Sequence, residues 1–273
     1  MDLAISNIAS LLRILATLGI FIYHFTKLSG NNVRGLDFIS ILIFCFLTGY
    51  LSVGIRSQPL TWLIRRIFSI MLPYWFVIIP LICINRIISY KETSVAMDLI
   101  SILGGNLFLN NPVYIMAWYI TFVLLLYIFV FVQSMAKNVI QLLLIWVSAI
   151  LFGELVLHML DYFMAFSFGL IFSIIHHPPQ KSVSQKNYMG KILFFLQDKC
   201  YSFFLIHGAV LLLLFNSNFL NNKFFIFIFG FLFSGFSAVF LRKITQPLIV
   251  ILVNKTESTI LFKTFLPRIL RTM

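Results

Sequence analysis

The feature that most constrains this chain is a succession of apolar runs, each long enough to cross a bilayer, with Lys and Arg gathered in the short connections between them. Crossing the hydrocarbon core takes roughly 20 mainly apolar residues per helix. Composition agrees: 61% of the 273 residues are hydrophobic and only 10% are charged, with a mean hydropathy of +1.02. Soluble domains carry charge on about a quarter of their residues, so a water-soluble fold is excluded. The expectation is an all-α, polytopic membrane helical bundle.

The runs predict spans near residues 8–25, 38–54, 67–84, 113–132, 139–152, 155–175, 192–215 and 224–241, about eight helices within a range of eight to ten. The fifth and sixth are separated only by Gly153-Glu154, and Glu154, His158 and Asp161 make that stretch polar. Residues 95–109, with Gly104-Gly105 inside, are too short and glycine-rich for a crossing and are expected to lie at the interface or to re-enter. Residues 1–246 form one transmembrane domain in this reading. Residues 247–273 alternate basic and apolar side chains, which suits an amphipathic cytoplasmic tail lying on the membrane surface.

The formal net charge of +12 does not point to nucleic acid, because the cations form short clusters between apolar runs rather than one polar face. Cytoplasmic loops collect Lys and Arg. With the N-terminus inside, the inner loops hold Arg56, Arg65, Arg66, Lys137, Lys181, Lys186, Lys191, Lys199, Arg242, Lys243 and the cations of the tail. The outer loops hold only Lys27, Arg34, Arg86, Lys91 and Lys223. Both termini are therefore expected to be cytoplasmic. Met1-Asp2-Leu3 lacks a positive signal-peptide start, so the first span is expected to stay in the mature protein. Cys45, Cys83 and Cys200 lack metal-ligand spacing and read as packing residues.

Ionisable groups inside a span are costly, by about 2.5 to 3.5 kcal/mol on insertion scales, and each is a functional candidate. Arg13 and His24 share the first span at a spacing close to three full turns, which puts them on one face, roughly 16 Å apart along the axis. Arg13, toward the cytoplasmic end, suits the phosphates of a cytosolic anionic cofactor such as coenzyme A. His24, toward the outer end, suits a base that takes a proton from a hydroxyl attacking a thioester. The alternative is that Arg13 snorkels to the inner interface and His24 caps the helix near Lys27.

Glu154, His158 and Asp161, at i, i+4 and i+7, would share a helical face. They read either as a proton relay in a transporter, as a contact for a glycan, or as a polar outer hairpin. His176-His177-Pro178-Pro179 lacks carboxylate or thiolate partners and reads as a helix stop, so no metal site is expected.

The order of short motifs resembles the acyltransferase-3 family, multi-spanning bacterial membrane enzymes that acylate surface polysaccharides and related molecules. Arg13 and His24 stand in that family's Arg-x10-His arrangement. Phe44 to Leu51, Phe-Cys-Phe-Leu-Thr-Gly-Tyr-Leu, resembles its Phe-Phe-x-Leu-Ser-Gly-Phe signature. Arg65-Arg66, followed by Leu72-Pro73-Tyr74-Trp75, is similar to its basic helix start, and Ala117-Trp118-Tyr119-Ile120 to its Trp-Phe-Leu entry. Tyr201 to His207 resembles the late Ser-x-x-x-Tyr-Leu-x-His motif, and Arg242 to Pro247 the closing Glu-x-Pro region. Three features depart from the pattern: Ser69 stands where many members have a second arginine, Val123 where many have a glutamate, and the stretch before His207 is short for ten helices.

The resemblance implies a multi-pass protein of the bacterial inner membrane that transfers an acyl group, in first place acetyl from acetyl-coenzyme A, to a hydroxyl of a cell-surface glycan or lipid-linked sugar. No cofactor would be permanently bound. His24 would be catalytic, and Arg13 with Arg65 or Arg66 would hold the donor. Trp118, Tyr119 and His207 would line the substrate site, joined by Glu154 if the polar Glu154–Asp161 stretch contacts the glycan. On the residues alone, Arg65 and Arg66 also read as positive-inside anchors, Trp118 and Tyr119 as an interfacial belt, and His207 as a structural histidine. The rival functions are a transporter or flippase of a lipid-linked saccharide and a non-catalytic membrane scaffold.

Overall fold

The computed structural model describes residues 2–31, 33–52, 59–89, 91–110, 112–155, 157–175, 188–216 and 222–258. All its regular structure is helical: α1 (Asp2–Leu28), α2 (Leu36–Tyr50), α3 (Pro59–Ile88), α4 (Val95–Ile102), α5 (Trp118–Ser134), α6 (Val139–Leu155), α7 (Leu160–Ile175), α8 (Tyr188–Asn216) and α9 (Lys223–Ser258). Four stretches, Asn7–Leu28, Pro59–Ile88, Gly190–Phe215 and Lys223–Thr256, are long and apolar enough to cross a membrane, and α2, α5, α6 and α7 are shorter apolar helices. A helix stands at each of the expected span positions. The segment expected not to cross is α4, eight residues long, or about 12 Å of helix.

The chain divides into two compact units. The first comprises residues 1–55 and 132–239, the second residues 56–131 and 240–273.

In the first unit α1 packs on α2 and α8, and α2 packs on α7. Contacts between α1 and α8 climb together along both helices: Ser10 meets Gln197, Phe21 meets Phe203 and His24 meets His207. The two helices are therefore parallel. The same holds for α2 and α7, where Phe38 meets Tyr162 near one end and Tyr50 meets Phe172 near the other. Glycines let α2 and α7 approach backbone to backbone. A Cβ on Gly49 would stand 2.1 Å from the Phe166 carbonyl oxygen, and one on Gly169 would stand 2.0 Å from that of Phe46. Where lipid tails are as apolar as the side chains, such close van der Waals contact is what holds helices together. Phe21, fully buried, centres an aromatic cluster with Phe203, Phe227 and Phe231 at ring separations of 5.5 to 5.7 Å.

In the second unit the Pro-Tyr-Trp stretch of α3 clamps the end of α4. Tyr74 Oη donates to the Ser101 carbonyl at 2.5 Å and Trp75 Nε1 to that of Ile102 at 2.8 Å. Asn106 Nδ2 donates to Tyr74 Oη at 2.6 Å, while Thr121 of α5 donates to the Gly104 carbonyl and accepts from Leu107 N–H. The carbonyls left at the end of α4 are thus met by side chains, as buried backbone groups require.

One sequence expectation is corrected. The chain is not one helical face through Glu154, His158 and Asp161: α6 ends at Leu155, His158 takes a left-handed backbone with φ of 51°, and α7 begins at Leu160. In addition, α9 runs through Pro247 without a break, so residues 247–258 continue a long helix. The remainder of the expected surface tail, residues 259–273, lies outside the described residues, as does His176 to Pro179.

Candidate functional site

Along the parallel seam of α1 and α8 runs a file of polar groups in otherwise apolar helices. At the N-terminal end Ser10 Oγ donates to Gln197 Oε1 at 2.6 Å. Next come Thr17 of α1 and, from α8, the buried Cys200 thiol, whose hydrogen goes to the Leu196 carbonyl at 3.4 Å and which feels the charge of Arg13. Thr17 Oγ1 also donates to the Arg13 carbonyl at 2.8 Å. Two turns further on, the rings of His24 and His207 lie 5.3 Å apart, centroid to centroid, at 33°.

Aromatic side chains enclose the histidine pair. Phe203 stacks on His207 at 5.9 Å and 7°, Phe204 packs at 5.8 Å, and Phe21 meets it edge-on at 6.1 Å. Tyr23 lies 5.2 Å from His24. His207 is only 1% exposed, whereas His24 is half-buried. His207 Nδ1 lies 3.1 Å from the Phe203 carbonyl. A carbonyl only accepts, so this contact places the hydrogen on Nδ1 and leaves Nε2 as a bare acceptor. That Nε2 is buried and has no hydrogen-bond partner. Among the described residues no group of three or more His, Cys, Asp or Glu is gathered as a metal would need.

The structure therefore brings together Arg13, His24 and His207 on one seam. The other expected site residues lie elsewhere. Arg65 and Arg66 belong to α3 of the second unit, where Arg65 is exposed and the Arg66 guanidinium sits over the rings of Trp62 and Tyr127, at 5.6 Å from each. Tyr119 is buried and Trp118 half-buried at the start of α5, their rings 6.0 Å apart. Glu154 is exposed at the end of α6.

Sequence reasoning overlooked Ser10, Thr17, Gln197 and Cys200. A signal was present: the polar positions of α1 and α8 recur at intervals of three, four or seven, so each set marks a single face within an apolar run.

The second unit holds a polar cleft of about 470 Å³ lined by Asn85, Arg86, Ser89, Lys91, Glu92, Thr93 and Ser94. Its two cations have partners. Arg86 pairs with Asp98, and Lys91 Nζ donates to the Pro112 carbonyl at 2.9 Å. Partial burial lowers the Lys91 pKa, since desolvation disfavours the charged amine.

No family model, curated protein or solved structure matches this chain. The likeness to the acyltransferase-3 family rests on the motifs given above.

Proposed function

We propose that this protein is a membrane-embedded O-acyltransferase that moves an acyl group, acetyl in first place, from a cytosolic acyl-coenzyme A to a hydroxyl of a cell-surface polysaccharide or lipid-linked sugar. The observation that carries the reading is the seam itself. A permanent cation and an imidazole pair stand along α1, roughly 16 Å apart, on a line of polar groups set within a mainly apolar helix. Such groups are costly within a membrane unless they have work to do there.

In this mechanism Arg13 binds phosphate of the donor, and the acyl thioester reaches outward along the seam. His24 takes the proton of the acceptor hydroxyl as its oxygen attacks the thioester carbonyl. The new ester forms, the carbon–sulfur bond breaks, and coenzyme A leaves as the thiol.

The proposed topology has eight spans with both termini cytoplasmic, in the bacterial inner membrane. Helix direction supports it. If α4 does not cross, α1 and α8 are the first and seventh spans and α2 and α7 the second and sixth, so each pair must run parallel, as the contacts do. A crossing by α4 would make both pairs antiparallel. The contact of Lys223 Nζ with the Ser29 carbonyl at 2.7 Å joins the end of α1 to the start of α9, two positions that this topology puts on the same outer side.

The test is transfer of labelled acetyl from acetyl-coenzyme A by purified protein in liposomes, supplied with native surface glycan or lipid-linked sugar. Label in the glycan that is lost in His24→Ala supports the reading. Absence of label with folded protein and every acceptor overturns it in favour of transport of a lipid-linked saccharide.

A further inference from the structure

We propose that His207 positions His24 for catalysis, its Nε2 receiving the N–H of His24 so that the two imidazoles form a proton relay.

Nδ1 of His207 is turned to the Phe203 carbonyl, which fixes the tautomer and aims a bare Nε2 lone pair into the buried interior. A buried acceptor left unmet is destabilising, because it has lost its water without gaining a partner. Around that ring stand Phe21, Phe203 and Phe204, which offer no hydrogen-bond donor, and His24, which does. With centroids 5.3 Å apart, a turn of the His24 ring brings one of its nitrogens toward Nε2. His24 is half-buried, whereas His207 is buried and stacked on Phe203.

Once the hydrogen of His24 is committed to His207, the other His24 nitrogen must carry a lone pair. That is the tautomer a base needs. Without the partner, a neutral histidine divides its hydrogen between two nitrogens. The charged group acting on His24 from its own helix is Lys27. From α8 the facing titratable group is His207, and from α9 the side chains at this cluster are Phe227 and Phe231.

During transfer the acceptor O–H bond breaks and its proton joins His24. The hydrogen that His24 held toward His207 passes to Nε2, and His24 ends neutral. The proton returns to the departing thiolate by the reverse path, so the pair is regenerated. Only one positive charge is present at any moment, because two imidazolium ions at this separation in an aromatic enclosure would repel strongly.

This inference rests on the acyl-transfer reading, and its test is chosen to separate the two. Nitrogen-15 spectra of histidine-labelled protein in liposomes, recorded without donor or acceptor, report the tautomer of each ring. In the wild type His24 is expected in one tautomer, and in His207→Phe in a mixture. In His207→Gln, whose amide oxygen stands in for Nε2, the single tautomer should return. With substrates, His207→Phe should lower kcat by about 10 to 100-fold, with KM for acetyl-coenzyme A unchanged, and His207→Gln should recover part of it. An unaltered His24 tautomer in both variants would overturn the pairing. Locked tautomers without acyl transfer in the wild type would overturn the enzymatic reading instead.

Discussion

Gly49 of α2 lies against the carbonyl oxygen of Phe166 in α7, and Gly169 of α7 answers it against the carbonyl of Phe46. Neither approach leaves room for a side chain, and each atom in the way is backbone. Gly49→Ala should therefore destabilise the protein by about 1–3 kcal/mol through overpacking, with Gly169→Ala comparable. Loss of folded protein on heating in detergent measures it. An unchanged melting temperature in both would mean that α2 and α7 do not meet this closely.

The seam makes separable demands on its two ends. His24→Ala should reduce kcat by about 10² to 10⁴-fold with little change in KM for acetyl-coenzyme A. Arg13→Ala should raise that KM, and Arg13→Lys, which keeps the charge but loses the planar fork, should recover part of the loss. Equal effects of His24→Ala and Arg13→Ala on kcat alone would contradict the assignment of donor and base to opposite ends.

At the Pro-Tyr-Trp stretch the expected effect is on stability. Tyr74→Phe removes the donor to the Ser101 carbonyl and the acceptor for Asn106, at a cost of about 1–3 kcal/mol for the buried groups left unmet. Chemical unfolding of the purified variant provides the measurement, and wild-type stability would show that these bonds are replaced by others.

Topology can be read with a membrane-impermeant thiol reagent on otherwise cysteine-free protein. Glu92→Cys, in an exposed position between α3 and α4, should label from outside. Lys137→Cys, exposed between α5 and α6, should label only after the membrane is opened. Labelling of both from outside would require a further crossing between them.

Much of the helical layout was legible in the sequence, because apolar run length is a local quantity and each run carries it alone. Arg13 and His24 were legible together for the same reason, since the helical repeat relates residues of one segment. What connects His24 to His207 is a contact between helices far apart in sequence, and no periodicity within either helix encodes the partner. The break between α6 and α7 was missed because i, i+4, i+7 spacing presumes a continuous helix, which the left-handed backbone at His158 interrupts. At Pro247 α9 continues, with the Thr245 hydroxyl donating to the Leu241 carbonyl just before it.

The parallel pairing of α1 with α8 also governs how the protein comes into being. Of the described helices α1 is made ahead of the rest and carries Ser10, Arg13, Thr17 and His24, while Gln197, Cys200 and His207 follow on α8 only after six others. Throughout synthesis of the intervening helices, α1 must be kept in the membrane with a polar stripe that has no mate. A chain cut short before Tyr188 would carry that stripe without the α8 side chains that meet it in the folded protein, so burial of the seam waits on synthesis of α8.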